Sequence, residues 1–133
     1  KPFIVTNCDV IIDIDYMDLK KFHFKNNYDF TIVVTAKTIK LPYGNCEVDS
    51  KGNFIKIFEK PKLNFLVNSG MYVINPNVID LIPTNKKLDI DKLITTLKSN
   101  NYKIGLYPIS EKKWTDVGEW SEFKKAINKF EQI

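Results

Sequence analysis

Four short stretches of this sequence carry residues better suited to chemistry than to packing. The first is Thr6-Asn7-Cys8-Asp9, where the apolar run Phe3-Ile4-Val5 gives way to polar residues and a carboxylate. In open α/β sheets ligands collect beyond the carboxyl ends of strands, so Asp9 suits a metal or phosphate site. It equally suits a turn in which the carboxylate bonds nearby amides. The second stretch is Leu41-Pro42-Tyr43-Gly44, whose glycine lets the backbone approach a ligand or take a tight turn. The third is Glu59-Lys60-Pro61 followed by Phe65-Leu66-Val67-Asn68-Ser69-Gly70-Met71-Tyr72. An acid beside a base suits a polyhydroxylated ligand bearing a phosphate, the carboxylate accepting from hydroxyls and the ammonium meeting the phosphate. A surface ion pair with a β-bulge at Gly70 is the alternative, and Pro61 is expected to hold Lys60 extended. The fourth is Trp114-Thr115-Asp116-Val117-Gly118, a second aspartate expected between a strand and a helix start. There it serves either as a ligand or as a helix cap, with Trp114 as core.

These stretches need elements to position them, and the hydrophobic pattern supplies a set. Phe3 to Val5 reads as a buried central strand, and Phe30 to Thr35 as a β-branched one. Asp15 is placed to cap a helix reaching about Asn26, with Leu19 and Phe22 on its inner face. Asp13 alternates with isoleucines, so Asp13 and Asp15 read as structural. The turn cluster Asp49 to Asn53 joins Cys46–Val48 to Phe54–Phe58 as a hairpin. Phe65 to Ile74 reads as a strand interrupted at Asn68-Ser69-Gly70. Pro76 opens a short helix to Leu81, and a longer one from Asp89 to Lys98 carries Ile90, Leu93, Ile94 and Leu97 as its stripe. Lys103 to Ile109 completes the strands, and Gly118 to Phe130, with Trp120, Phe123, Ile127 and Phe130 on one face, a final helix. The order indicates an α/β domain spanning 1–133.

Composition narrows the classes. At 133 residues, 44% hydrophobic and 27% charged, the chain has room for one domain with a core. Disorder, collagen repeats and disulfide-stapled miniproteins are excluded. The net charge of +4 comes entirely from scattered lysines, with no arginine for bidentate contacts, which disfavours nucleic-acid binding. No apolar run approaches the roughly 18 residues of a membrane span. Cys8 and Cys46 lack metal-binding spacing and read as buried free thiols of a reducing cytoplasm.

Phe3-Ile4-Val5-Thr6-Asn7-Cys8-Asp9, Pro42-Tyr43-Gly44 with Glu47, Glu59-Lys60-Pro61, Asn68-Ser69-Gly70-Met71-Tyr72 and Trp114-Thr115-Asp116-Val117-Gly118 occur in this order along nearly the whole chain. Together they resemble the sugar-1-phosphate nucleotidyltransferases, also called nucleotide-sugar pyrophosphorylases. Asn68 to Val73 and Asp116 to Trp120 look most like the mannose-1-phosphate guanylyltransferase branch. The resemblance implies a Rossmann-like mixed sheet flanked by helices. It also implies transfer of a nucleoside monophosphate from a nucleoside triphosphate to a hexose 1-phosphate, with release of pyrophosphate. By the same resemblance Asp9 and Asp116 are Mg²⁺ ligands, and Lys60 holds the sugar phosphate. Glu59 and Asn68 meet sugar hydroxyls, while Tyr43 and the backbone at Gly44 and Gly70 face the sugar.

One departure stands out. The family's glycine-rich loop with its arginine, which holds the nucleotide, has no counterpart here, and the first residue is Lys1. The chain is therefore expected to be the sugar-phosphate half of a catalytic domain, inactive alone, whose first strand exposes an edge for pairing with a second copy. Two rivals are weighed. A GT-A-type glycosyltransferase would use Asp13-Ile14-Asp15 as its metal-binding DxD. A non-catalytic nucleotide-sugar-binding regulatory module would not need both Asp9 and Asp116.

Overall fold

A computed structural model describes residues 1–118 together with Lys124 and Ile127. Apart from Gly118, Lys124 and Ile127, the expected C-terminal helix lies outside the described residues. Alternation along two long strands sets the layering. In β3 (Phe30–Lys40), Phe30, Ile32 and Val34 point to one face of the sheet and Val33 to the other. In β6 (Lys62–Ile74), Tyr72 and Ile74 join the first set, Met71 and Val73 the second. Both strands are apolar on both faces at this end because both faces are covered.

The principal sheet has four strands in the order β1 (Phe3–Thr6), β6, β3, β7 (Ile104–Ile109). β6 is antiparallel to β1 and β3, while β7 runs parallel to β3, so the sheet is mixed. Helix α2 (Ile90–Ser99) covers one face through buried Leu93 and Leu97, with Ile90 and Ile94 at their flanks. Each buried leucine contributes about 1.5–3 kcal/mol of burial free energy. A 3-10 turn at Pro76–Leu81 adds Val78 to the same cluster. Helix α1 (Tyr16–Lys25) covers the other face through Leu19. Its cap is as the sequence predicts, Asp15 accepting from the backbone N–H of Met17 at 2.7 Å and of Asp18 at 3.3 Å.

Three expectations need correction. Phe3–Thr6 is an edge strand, not a central one: among the described residues β1 pairs only with β6, and Phe3, Ile4 and Val5 remain 38%, 42% and 38% exposed. Cys8 and Cys46 are free thiols but exposed, since Cys8 lies in the turn after β1 and Cys46 in a hairpin that no described element covers. That hairpin, β4 (Asn45–Val48) with β5 (Phe54–Phe58), forms as predicted around Asp49, whose carboxylate accepts from the N–H groups of Lys51 and Asn53. Asp116 does not merely follow a strand but ends one, the short β8 (Trp114–Asp116), which pairs antiparallel with β2 (Val10–Ile12) in a separate two-stranded sheet.

Two polar groups outside the predicted motifs pin the start of β3. His23 is buried with both ring nitrogens bonded, Nδ1 to Thr31 Oγ1 at 2.8 Å and Nε2 to Asn75 Oδ1 at 3.1 Å. The Asn75 amide donates to the Tyr28 carbonyl, so its oxygen faces His23 and Nε2 carries the proton. Asp29 accepts from Asn77 Nδ2 and from the Lys103 N–H, both at 2.9 Å, tying β3, β7 and the 3-10 turn together. Burial alone pushes the Asp29 carboxyl up, but the bonds from Asn77, Lys103 and Asn75 and the nearby His23 outweigh it and hold the carboxyl below its ordinary value. A depressed carboxyl contributes stability above its unfolded pKa and loses it as pH falls through the folded one. Asp29→Asn should cost about 1–2 kcal/mol at neutral pH, because one acceptor becomes a donor facing a donor. It should also flatten the loss of stability below about pH 4 in urea titrations; an unchanged acid limb would contradict the assignment.

Candidate active site

The candidate residues collect in two places. The first is the β2–β8 pair. Val10 stands opposite Asp116, and the Val117 N–H donates to the Asp9 carbonyl at 2.8 Å, so residues far apart in sequence become cross-strand neighbours. Gly118 shows how close the carboxylates are. A methyl group built on it would lie 2.9 Å from Asp9 Oδ2 and 3.2 Å from Asp116 Oδ1, and its N–H donates to Asp116 Oδ1 at 2.9 Å. Asp9 and Asp116 thus bring their carboxylate oxygens together around Gly118. Mg²⁺ fits such a donor set, because it takes one or two carboxylates and completes its octahedron with water and phosphate oxygens. Among the described residues no cluster of three or more His, Cys, Asp or Glu side chains offers a metal an all-protein cage. Asp15, by contrast, is occupied in capping α1, which tells against a DxD metal site.

Beside this clip β6 breaks its ladder. Ile32 pairs with Tyr72 and Val34 with Asn68, so Ser69, Gly70 and Met71 stand opposite Val33 alone. The bulge weighed at Gly70 as the structural alternative is present, and Gly70 takes φ +83° within it. Ser69 Oγ donates to the Val33 carbonyl at 2.8 Å, and the Gly70 N–H to Asn68 Oδ1 at 3.0 Å. Asn68 Nδ2 donates to the Tyr72 hydroxyl at 2.6 Å, which leaves the exposed amide one N–H and one lone pair for a ligand. Asn7 donates its backbone N–H to the Gly70 carbonyl at 2.8 Å, with its side chain seated on Gly70. Asn7 is the site residue that motif reading quoted without a role. Trp114 is more than core, since its indole N–H donates to the Ser69 carbonyl at 2.9 Å.

The second cluster lies at the far end of the β3–β6 ribbon. Lys62 to Asn68 is regular ladder, about 20 Å of strand, separating it from the bulge. Here a methyl group on Gly44 would meet Ile57 at 3.1 Å and Glu59 Oε2 at 3.3 Å, so Gly44 and Glu59 are neighbours. Lys60 Nζ lies 4.0 Å from Glu59 Oε1 with both side chains exposed, and Tyr43 is 77% exposed. Among the described residues no hydrogen bond or ion pair joins these groups to Asp9 or Asp116. Lys60 is not extended, as Pro61 led us to expect, but left-handed, with φ +46°. The other described non-glycine residues with positive φ are asparagines, which tolerate that region; a lysine there costs about 1–2 kcal/mol. The backbone turns between β5 and β6 at this residue, and the turn overrides the local preference.

A mixed sheet with this strand arrangement is the fold of sugar-nucleotide pyrophosphorylases. The solved structure of HddC from Yersinia pseudotuberculosis matches 97% of this chain and 55% of its own, with a TM-score of 0.66 at 22% identity. A nucleoside-diphosphate-sugar pyrophosphorylase from Vibrio cholerae matches 93% of this chain and 55% of its own, with a TM-score of 0.53 at 16% identity. The nucleotidyl transferase family model matches residues 1–133, and the chain belongs to that family. Among its relatives, the mannose-1-phosphate guanyltransferase of Yarrowia lipolytica is 34% identical over 92% of this chain. The mannose-1-phosphate guanylyltransferase catalytic subunit beta of Drosophila melanogaster is 32% identical over a similar span. The chain covers about a third of the length of each, 34% and 33%.

The glycines offer an internal comparison. Gly52 has φ +86° with nothing near it, whereas a methyl group on Gly70 would also meet Asn7 Nδ2 at 2.9 Å. Gly52→Ala should therefore cost only the left-handed penalty of about 1–2 kcal/mol, and Gly70→Ala distinctly more in denaturant unfolding. Equal losses would show that Asn7 does not bear on Gly70.

Proposed function

We propose that this chain supplies the sugar-phosphate half and both metal-binding carboxylates of a nucleotidyltransferase that converts a hexose 1-phosphate and a nucleoside triphosphate into a nucleotide sugar and pyrophosphate. The relatives' names point to mannose 1-phosphate and a guanylyl group. The observation that carries the reading is the convergence of Asp9 and Asp116 on Gly118. A bound Mg²⁺ would supply neutralisation of crowded phosphate charge, and Asp9 and Asp116 would hold it. Asn68 uses its spare N–H and lone pair on sugar hydroxyls, while Gly70, buried under Asn7 with its N–H and carbonyl both bonded, shapes the bulge that presents Asn68. Lys60, Glu59, Tyr43 and Gly44 lie about 20 Å of strand away, too far for the same hexose 1-phosphate to reach, and in this arrangement they take no part in the sugar site. The sugar phosphate oxygen attacks the α-phosphorus, one P–O bond forms as another breaks, and the electron pair leaves with pyrophosphate.

In this reading the triphosphate is held by residues outside this chain, which alone is inactive. The reaction belongs to the cytoplasm, where the exposed thiols of Cys8 and Cys46 stay reduced. No helix among the described residues is long and apolar enough to cross a membrane. A glycosyltransferase reading finds less support, because its DxD would need the carboxylate that caps α1.

Mn²⁺ binding, followed by the paramagnetic resonance of the free ion, tests the site without requiring turnover. Asp9→Asn and Asp116→Asn should each weaken binding at least about tenfold with circular dichroism unchanged, as loss of one charged ligand dictates. Wild-type binding by either variant would contradict the assignment. The open edge of β1, apolar and without a charged residue from Phe3 to Thr6, is proposed to pair with a second copy. Light scattering should show mass rising with concentration, and Val5→Lys should suppress the rise; a monomer throughout would refute the pairing.

A further inference from the structure

The two carboxylates sit on a piece of structure of their own. β2 and β8 form a sheet separate from the four-stranded one, so their ladder fixes Asp9 against Asp116. It does not fix either against the sugar-facing bulge. Among the described residues two hydrogen bonds make that second connection, from the Asn7 N–H to the Gly70 carbonyl and from the Trp114 indole to the Ser69 carbonyl, at 2.8 and 2.9 Å. The first is a backbone bond at the end of β1 that almost any residue would make. The second depends on a side chain that only tryptophan supplies.

We propose that Trp114 is a positioning residue whose indole N–H, through the Ser69 carbonyl, sets the distance between the carboxylate clip and the Asn68–Gly70 bulge. Resting on the functional reading above, this makes Trp114 the link through which one hexose 1-phosphate can meet the bulge and the bound cation together. Strand geometry supports the role. Trp114 and Asp116 are two residues apart in β8 and so lie on the same side of it. The ring is only partly buried, and the Lys37 ammonium lies over it, 4.9 Å from its centroid, while pairing with Glu111 at 3.2 Å. The acceptor is equally fixed, because Ser69 is buried and its hydroxyl is tied to the Val33 carbonyl. Packing alone needs an aromatic ring at this position; the connection to Ser69 needs its N–H.

Positioning of this kind appears as coupling between ligands. In the wild-type chain, saturating mannose 1-phosphate should tighten Mn²⁺ binding by about tenfold, within the ordinary range of coupling between sites. In Trp114→Phe, which keeps the ring, Mn²⁺ alone should bind as in wild type, while the tightening falls below about twofold. Trp114→Leu, which fills the position without a donor, should behave alike and decides the matter if Trp114→Phe does not fold. Full tightening in a folded variant overturns the proposal, and so does loss of Mn²⁺ binding in the absence of sugar, which would make Trp114 merely structural. Wild-type chain that binds no Mn²⁺, or an Asp9→Asn variant that binds it normally, would overturn the functional reading and this inference with it. Those outcomes are distinct from failure of the Trp114 link alone.

Discussion

The bulge in β6 is the constraint on which the rest of the site depends. Fitting Ser69, Gly70 and Met71 opposite a single residue of β3 breaks the ladder and turns peptide groups away from their strand partners. Each must then find another partner. The Ser69 carbonyl takes the Trp114 indole, the Gly70 carbonyl the Asn7 N–H, and the Gly70 N–H the Asn68 side chain. The freed groups of one irregularity thus recruit the segment that carries Asp116 and the Asn68 amide, while the Gly70 carbonyl continues the β1 ladder one step past Thr6 toward Asp9. A regular β6 would satisfy its own backbone against β3 and leave the Asp116 segment unconnected to it.

The molecule divides mechanically along the same strand. From the bulge to Ile74, β6 is sandwiched between α1 and α2 and buried on both faces. From Lys62 to Val67 it is an outlying ribbon with β3, continued by a hairpin whose Phe54, Ile55, Ile57 and Phe58 are exposed. Lys60 lies where ribbon meets hairpin, in a backbone conformation that disfavours lysine.

Much of this was legible in the residues. The stripe of α2, the Asp15 cap and the Asp49 turn are local, and each signal has its cause within a few residues of itself. The order of the motifs was legible too, down to the glycine beside Asp116. What escaped depends on distant partners. β2 and β8 have three residues each, too few for a period to show, and exist because they pair across the length of the chain. His23 gave no signal, since its partners Thr31 and Asn75 come from other elements. Phe3 to Val5 misled for the opposite reason: a continuous apolar run signals burial on both faces, but whether a strand is central depends on what pairs with its edges. Lys60 misled because the turn from β5 to β6 overrides the preference set by Pro61.

The central claim is that Asp9 and Asp116 form one cation site held against the Asn68–Gly70 bulge. Paramagnetic broadening of backbone amide signals by substoichiometric Mn²⁺ tests it most directly, because broadening falls off steeply with distance from the ion. The account predicts broadening centred on Asp9, Asp116 and Gly118, reaching Asn68 to Gly70 and sparing the α1 cap. Broadening centred on Asp13 to Asp15, or spread evenly over the exposed carboxylates, would contradict it.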